Sequence, residues 1–207
     1  QVCGALQEAH SVGLIHRDIK PANIFVAQRG GIFDVAKLLD FGLVKERTAQ
    51  SDGDTESGYG SFSGTPLYMS PEQAAAYEDV DGRSDIYALG AVAYYLLTGK
   101  PPFAGKSVMQ LLMAHAGHQV TPPSSEVDEI PEDLDHVVLR CLEKQPEDRY
   151  ADAASLGVAL GECRCAADWT DAIAAQWWSE HSDRTKPPPP TKPASPIEMT
   201  IDLNLDE

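Results

Sequence analysis

The chain has 207 residues, of which 43% are hydrophobic, and it carries 16 basic against 32 acidic side chains. This length and composition predict one globular domain with a tail, and the net charge of −16 argues against nucleic acid as a partner, because such a surface repels phosphate backbones. No apolar run is long enough to span a bilayer, and the four cysteines match neither a disulfide framework nor a zinc site, which favours reduced thiols in a cytoplasmic protein.

The first part of the chain predicts a helix, a polar loop and a β-hairpin. Apolar residues recur at helical spacing over Val2–Val12. The irregular polar stretch His16–Asn23 then leads into a short strand, Ile24–Val26. Gly30-Gly31 predicts a tight turn, and Ala36–Leu39 is the returning strand.

The rest of the chain is mainly helical in pattern, after a polar segment at 45–63 that has no apolar period. The predicted helices span Arg83–Thr98, Ser107–Ala116, Glu132–Glu143, Ala151–Leu160 and Ala166–His181. The first of these is apolar on more than one face, which predicts burial on several sides. The last carries three tryptophans, which favour packing onto the body of the domain over a partner-binding face. A proline-rich stretch at 186–196 predicts an extended tail.

One short loop combines the residue types that phosphoryl transfer needs. Asp18, Lys20 and Asn23 lie within six residues, and the hairpin returns the chain to this loop at Asp40. Mg²⁺ prefers oxygen ligands from one or two side chains plus substrate phosphates, and Asn23 and Asp40 suit that role. Asp18 is then free to accept a proton from an attacking hydroxyl, and Lys20 can neutralise charge on the transferring group.

These motifs, in this order, resemble those of the protein kinase family. His16–Asn23 resembles the catalytic loop, and Asp40-Phe41-Gly42 resembles the metal-binding motif that opens the activation segment. Gly64–Gln73 is similar to the substrate-docking loop of bacterial-type serine/threonine kinases. Three later segments match the central buried helix, its exit and the late signature of the C-terminal lobe: Ser84–Gly90, Leu97–Phe103 and Cys141–Tyr150. The resemblance covers about residues 1–161.

The resemblance implies a fold, cofactors and catalytic roles. The fold is the C-terminal lobe of a kinase: α+β, mainly α, with a small β-hairpin beside the catalytic loop. The cofactors are ATP and Mg²⁺, or Mn²⁺ in its place, and the substrates are Ser and Thr hydroxyls of proteins. Asp18 and Lys20 are the expected catalytic residues. Lys20, Asn23 and Asp40 are expected to bind the nucleotide, with Asn23 and Asp40 as the metal ligands.

The resemblance also implies regulatory and structural residues. Arg17 suggests control by phosphorylation of the activation loop, since a guanidinium grips a phosphate. Thr65 would bridge Asp18 and Lys20, Asp85 would brace the catalytic loop through backbone N–H groups, and Glu72 would pair with Arg149. The candidate phosphorylation sites are Thr48, Ser51, Thr55, Ser57, Ser61 and Ser63.

Two departures from the family pattern bear on these expectations. Asp40 follows Asp18 by 22 residues, a few more than the family pattern, and the excess at Ala27–Asp34 is interpreted as a harmless surface insertion. The Gly-rich loop and strand Lys that hold ATP phosphates do not precede the catalytic loop in this chain. We therefore expect a fragment that lacks its N-terminal lobe and is inactive alone. Its expected parts are an incomplete kinase domain (1–161), an amphipathic helical extension (162–185) and a flexible acidic tail (186–207).

Two alternatives to a protein kinase remain open from the sequence. One is a non-catalytic binding or scaffold module, which applies if the chain truly begins at Gln1. The other is a small-molecule phosphotransferase, which ranks last because it does not explain the docking loop at Gly64–Glu72.

Overall fold

A computed structural model of the chain describes residues 1–41, 66–75, 80–105 and 107–181. The α-helices of these ranges are α1 (Val2–Ser11), α2 (Pro71–Ala74), α3 (Arg83–Thr98), α4 (Val108–Gly117), α5 (Glu132–Cys141), α6 (Ala153–Glu162) and α7 (Asp171–Glu180). Two strands, β1 (Ile24–Arg29) and β2 (Ile32–Leu38), form an antiparallel sheet. The predicted α+β class, mainly α with a small hairpin, is confirmed.

The central helix α3 is buried on several sides, as its apolar sequence predicts. Ile86, Tyr87 and Ala91 are inaccessible to solvent. Gly90 allows α5 to approach closely, because a Cβ at this position would lie 2.4 Å from the Cβ of Cys141. The helix ends at Gly99, whose φ of 75° gives the left-handed C-cap that glycine adopts without strain. The core of the domain is therefore built around α3, whose N-terminal turn faces the polar loop.

The β-hairpin is longer than the sequence predicts. Its pairing runs from Ile24 opposite Leu38 to Arg29 opposite Ile32, with an irregularity between Ala27 and Arg29. Gly30 and Gly31 form the turn, with φ values of 60° and 82° that match a two-residue hairpin turn with both central residues left-handed. The hairpin thus reaches well beyond the polar loop that it adjoins.

Helix α7 is shorter than the predicted segment Ala166–His181. A 3₁₀ turn at Arg164–Ala167 comes first, and the helix begins at Asp171 because the Thr170 side chain caps it by accepting a hydrogen bond from the Ile173 N–H at 3.4 Å. Among the described elements, α7 packs most extensively against β2.

The tryptophans of this region attach α7 to the hairpin. The indole N–H groups of Trp169 and Trp178 both donate to the carboxylate of Asp34. Trp169 and Trp178 therefore pack the last helix onto the domain, as predicted, whereas Trp177 is partly exposed and stacks on His181. The structure also corrects the expectation of a harmless insertion at Ala27–Asp34, because Asp34 makes specific contacts there.

None of the described helices combines the length and hydropathy that crossing a bilayer requires.

Candidate active site

Asp18, Lys20 and Asn23 form one hydrogen-bonded cluster in the polar loop. Lys20 Nζ lies 2.7 Å from Asp18 Oδ2. The Asn23 amide nitrogen donates to the Asp18 backbone carbonyl at 2.8 Å and to Asp18 Oδ2 at 3.3 Å. A 3₁₀ turn at Pro21–Asn23 folds Asn23 back towards Asp18. The Asp18 carboxylate therefore has a fixed orientation, and about a third of the side chain remains open to solvent.

Backbone hydrogen bonds bring Asp40 to this cluster. The residue before it, Leu39, donates its N–H to the Asn23 carbonyl at 2.8 Å, and its own carbonyl lies 2.9 Å from His16 Nε2. The ring of Phe41 lies against the ring of His16, with centroids 4.9 Å apart. Asp40 itself has a φ of 52°, a left-handed conformation that few residues other than glycine adopt. The end of β2 is thus tied to the loop on both sides of Asp40.

Asp85, in the first turn of α3, supports the loop from below. One of its carboxylate oxygens accepts the Arg17 N–H at 2.8 Å, and the other accepts the His16 N–H at 2.8 Å and lies 2.8 Å from His10 Nε2. The side chain is 1% exposed, so these bonds compensate for the burial of its charge. They also hold Arg17 in its left-handed conformation, with a φ of 64°. Asp85 therefore fixes the backbone immediately before Asp18.

Glu72 and Arg149 form a buried bidentate ion pair, with N–O distances of 2.7 and 2.8 Å. The hydroxyl of Ser84 also donates to Glu72. Burial would raise the pKa of Glu72, but the hydrogen bonds from Arg149 and Ser84 and the guanidinium charge outweigh it, so this pKa lies below its ordinary value. The other N–H groups of the guanidinium donate to the backbone carbonyls of Arg83, Glu143 and Lys144. The pair joins α2 to the start of α3 and to the segment before α6.

Helix α2 contacts the loop directly through Gln73. Its amide nitrogen donates to the Arg17 carbonyl at 2.9 Å. Ser70 and Gln73 also form a reciprocal capping box at the start of α2. The end of the predicted docking loop is therefore fastened to the backbone next to Asp18.

The sequence did not identify three of these contact residues: His10, Gln73 and Ser84. His10 belongs to none of the matched motifs, and its partner Asp85 lies 75 residues further along the chain. Ser84 and Gln73 lie at the ends of two matched segments, Ser84–Gly90 and Gly64–Gln73, but the match assigns no contact to either side chain. Their hydrogen bonds depend on how α2 and α3 pack, which no local spacing reveals.

The donor set fits a divalent metal of the magnesium type. The Asn23 amide nitrogen donates a hydrogen bond to Asp18. The amide oxygen, which is the atom of asparagine that binds metals, therefore faces other partners. Asp40 supplies a carboxylate at the neighbouring strand end. Across the described ranges, no group of three or more His, Cys, Asp and Glu side chains could hold a metal. A metal at this place would thus depend on Asn23, Asp40 and oxygens of a phosphate ligand, as Mg²⁺ sites commonly do.

Some predicted residues lie outside the described ranges. They are Gly42, Thr65 and the six candidate phosphorylation sites Thr48, Ser51, Thr55, Ser57, Ser61 and Ser63. Their expected roles stay predictions.

Comparison with known proteins shows the family of the chain. Residues 1–158 match the family model for the protein kinase domain. The chain is 47% identical over 166 residues to the serine/threonine-protein kinase Pkn1 of Myxococcus xanthus, covering 78% of this chain and 23% of Pkn1. It is 42% identical over 154 residues to the serine/threonine-protein kinase PknB of Mycobacterium tuberculosis, covering 74% and 24% of the two chains. The corresponding probable kinase PknB of Corynebacterium glutamicum is 41% identical over 164 residues, covering 77% and 24%. The chain therefore spans about a quarter of the length of these relatives.

Proposed function

This chain belongs to the protein kinase family, and we propose that the complete protein in which it occurs transfers the γ-phosphoryl group of ATP to Ser or Thr hydroxyls of proteins. The observation that carries the proposal is the joining of the two ends of the hairpin. Asn23 and Leu39 share a backbone hydrogen bond of 2.8 Å, so the residue before Asp40 is held against the loop in which Lys20 and Asn23 bond to Asp18. The bacterial relatives, named as serine/threonine-protein kinases, support the choice of substrate class.

In the proposed mechanism, Asp18 orients the substrate hydroxyl and accepts its proton as the oxygen bonds to the γ-phosphorus. The bond from that phosphorus to the bridging oxygen breaks, and ADP leaves with the electron pair. Lys20 offsets negative charge on the transferring group. Asn23 and Asp40 would hold Mg²⁺, or Mn²⁺ in its place, and such a metal neutralises the charge of the β- and γ-phosphate oxygens. In this mechanism the Lys20 ammonium group interacts with two groups, the Asp18 carboxylate and the phosphoryl group.

The remaining residues act on the positions of these groups. We propose that Asp85 keeps the loop in its active geometry and that the Glu72–Arg149 pair anchors the end of the activation segment. Arg17 would receive a phosphorylated residue of that segment, and Thr65 would bridge Asp18 and Lys20. The division into a kinase part (1–161), a helical extension (162–185) and a tail (186–207) belongs to the same proposal, and the cytoplasmic location stays a prediction.

The first test is phosphoryl transfer from γ-labelled ATP to a protein substrate by the complete protein, with analysis of the labelled amino acids. We expect label on Ser or Thr. Asp18→Asn keeps the size of the side chain but cannot accept the proton, so its rate should fall by about 10²- to 10⁴-fold. Asp128→Asn makes the same chemical change at an exposed position and should leave the rate unchanged. Absence of transfer by the wild type, or a rate of Asp18→Asn within about tenfold of it, would refute the proposal.

The same assay also tests the assignment of this chain to the C-terminal lobe of a kinase. In the family, a Gly-rich loop and a strand Lys also hold the ATP phosphates. We therefore expect the 207 residues to transfer no phosphoryl group when they are assayed alone. Activity of these residues alone would overturn this assignment and leave the kinase function standing.

A further inference from the structure

The carboxylate of Asp34 binds two indole N–H groups at once. Trp169 Nε1 donates to Oδ2 at 2.7 Å, and Trp178 Nε1 donates to Oδ1 at 2.6 Å. Each carboxylate oxygen thus has its own donor, and hydrogen bonds to a charged acceptor are about twice as strong as neutral ones. Trp178 is buried and Trp169 is half exposed. The two bonds connect β2 to the segment that carries α7, which is 135 and 144 residues away in sequence.

The same stretch of β2 is held by the first residue of the described chain. The side chain of Gln1 donates to the Asp34 carbonyl at 2.7 Å and accepts the Ala36 N–H at 3.0 Å. These two backbone groups lie on the edge of β2 that is not paired with β1. The carboxamide therefore pairs with this edge as a neighbouring strand would. Gln1 therefore covers the unpaired edge of β2 at Asp34 and Ala36, and Trp169 and Trp178 bind the side chain of Asp34.

The strand that α7 contacts, β2, leads directly to Asp40, the candidate metal ligand. Asp34 and Asp40 are six residues apart along one strand and its end, about 20 Å at 3.3 Å per residue. Between them, Leu38 pairs with Ile24, and Leu39 bonds to Asn23 and His16. A shift of β2 would therefore move the Leu39–Asn23 contact and, with it, Asp40.

We propose that α7 positions the Asp40 end of β2 through Asp34, Trp169 and Trp178, which are positioning residues and not catalytic ones. The inference rests on the proposed function for its consequence, the metal requirement of phosphoryl transfer. Among the described elements, α7 packs mainly on β2, so its contacts act largely on the hairpin.

The test uses hydrogen exchange in the complete protein, a measurement that requires no catalytic activity. Asp34→Asn is the best variant because asparagine also tolerates the φ of 54° at this position. Its amide offers one oxygen, so one indole N–H must face an NH₂ group and loses its bond. Trp178→Phe is the second variant, since it keeps an aromatic ring at this position and removes the N–H donor. Trp177→Phe is the matched control for the loss of an indole, because Asp34 receives its two indole hydrogen bonds from Trp169 and Trp178. The Trp177 ring stacks on the His181 ring at 4.4 Å and meets the Trp178 ring edge-on at 5.6 Å.

We expect the Leu39 amide, which donates to Asn23, to exchange about 3- to 10-fold faster in Asp34→Asn and in Trp178→Phe, in keeping with the loss of about one hydrogen bond. Trp177→Phe should leave this amide at the wild-type rate. Faster exchange confined to α7, or no change at Leu39 in either variant, would overturn the proposal, because α7 would then be docked without holding the strand end.

The second readout is the Mg²⁺ concentration that gives half-maximal phosphoryl transfer in the complete protein. It should rise by about 3- to 10-fold in Asp34→Asn with a nearly unchanged maximal rate, less than the 10- to 100-fold cost of losing a direct support of a metal ligand. An unchanged Mg²⁺ requirement would overturn the functional consequence of the inference. If the wild type transfers nothing, the proposed function fails, and the exchange rate of Leu39 still decides whether α7 holds β2.

Discussion

His115, in α4, is a buried histidine with aromatic neighbours. Its Nδ1 lies 2.8 Å from the Tyr87 hydroxyl, and its ring centroid is 5.0 Å from that of Phe103. Burial, together with the positive charge of Lys144, lowers the pKa of His115 to about 4. The folded protein therefore keeps this imidazole neutral at pH values where the unfolded chain, with an ordinary histidine pKa of 6.5, binds a proton.

A pH dependence of stability follows from this difference. Between pH 6.5 and about 4 the unfolded state binds more protons at this position, so the free energy of unfolding should fall as the pH is lowered. The slope approaches about 1.4 kcal/mol per pH unit for one proton. The loss begins below pH 6.5 and is complete below the folded pKa.

Urea unfolding of the wild type and His115→Gln at pH 4.5 to 7.5 measures this contribution. Glutamine does not titrate, so the difference in unfolding free energy between the two proteins should shrink steadily below pH 6.5. Titrations of other groups occur in both proteins and cancel in that difference. Parallel profiles over the whole range would contradict a neutral buried His115.

The sequence predicted the residues of the candidate site better than their partners. Asp18, Lys20 and Asn23 lie within one loop, so their meeting requires no knowledge of the fold. The contacts of Gln73 with Arg17 and of His10 with Asp85 cross 56 and 75 residues. Such contacts depend on packing between helices, and single side chains with no periodic pattern give no indication of them.

Among the elements, α3 and α5 show how one glycine sets a helix distance. Gly90→Ala would place a Cβ 2.4 Å from the Cβ of Cys141, so the helices would have to separate. Overpacking of this kind costs about 1–3 kcal/mol, which exceeds the 0.5–1 kcal/mol that alanine gains over glycine in a helix. We expect Gly90→Ala to lower the free energy of unfolding.

Gly4→Ala in α1 is the matched control for this change. Nothing lies within 4 Å of a Cβ at Gly4, so the same substitution should raise stability by about 0.5–1 kcal/mol. Denaturant midpoints of both variants and the wild type test the pair. Equal midpoints for the two variants would show that α3 and α5 do not approach as closely as described.

Element boundaries were predictable where apolar spacing and capping residues agree. The predicted α3 has the observed limits, and Ser107 and Asp152 cap α4 and α6 within two residues of the predicted starts. The predicted start of the last helix, Ala166, was wrong. Apolar residues continue through the 3₁₀ turn at Arg164–Ala167, and α7 begins only after its cap, Thr170. The attachment of α7 to Asp34 was not predictable, since the hairpin tip has no local pattern that indicates its partner.

For the whole molecule, three separate parts supply the candidate site. The polar loop contributes Asp18 and Asn23, the end of the hairpin contributes Asp40, and α3 holds the loop through Asp85. The net charge of −16 makes bulk electrostatics unfavourable for a nucleotide. In the proposed function a local divalent metal holds the phosphates, and different residues bind the metal and accept the proton.

The measurement that tests this division most directly is the Mg²⁺ dependence of phosphoryl transfer by the complete protein, in the wild type, Asp40→Asn and Asp18→Asn. Asp40→Asn should raise the Mg²⁺ concentration for half-maximal rate by at least about tenfold, because a proposed ligand loses its charge. Asp18→Asn should lower the maximal rate by about 10²- to 10⁴-fold and leave the Mg²⁺ requirement within about twofold of the wild type. A wild-type Mg²⁺ requirement in Asp40→Asn, or the same shift in both variants, would contradict the account.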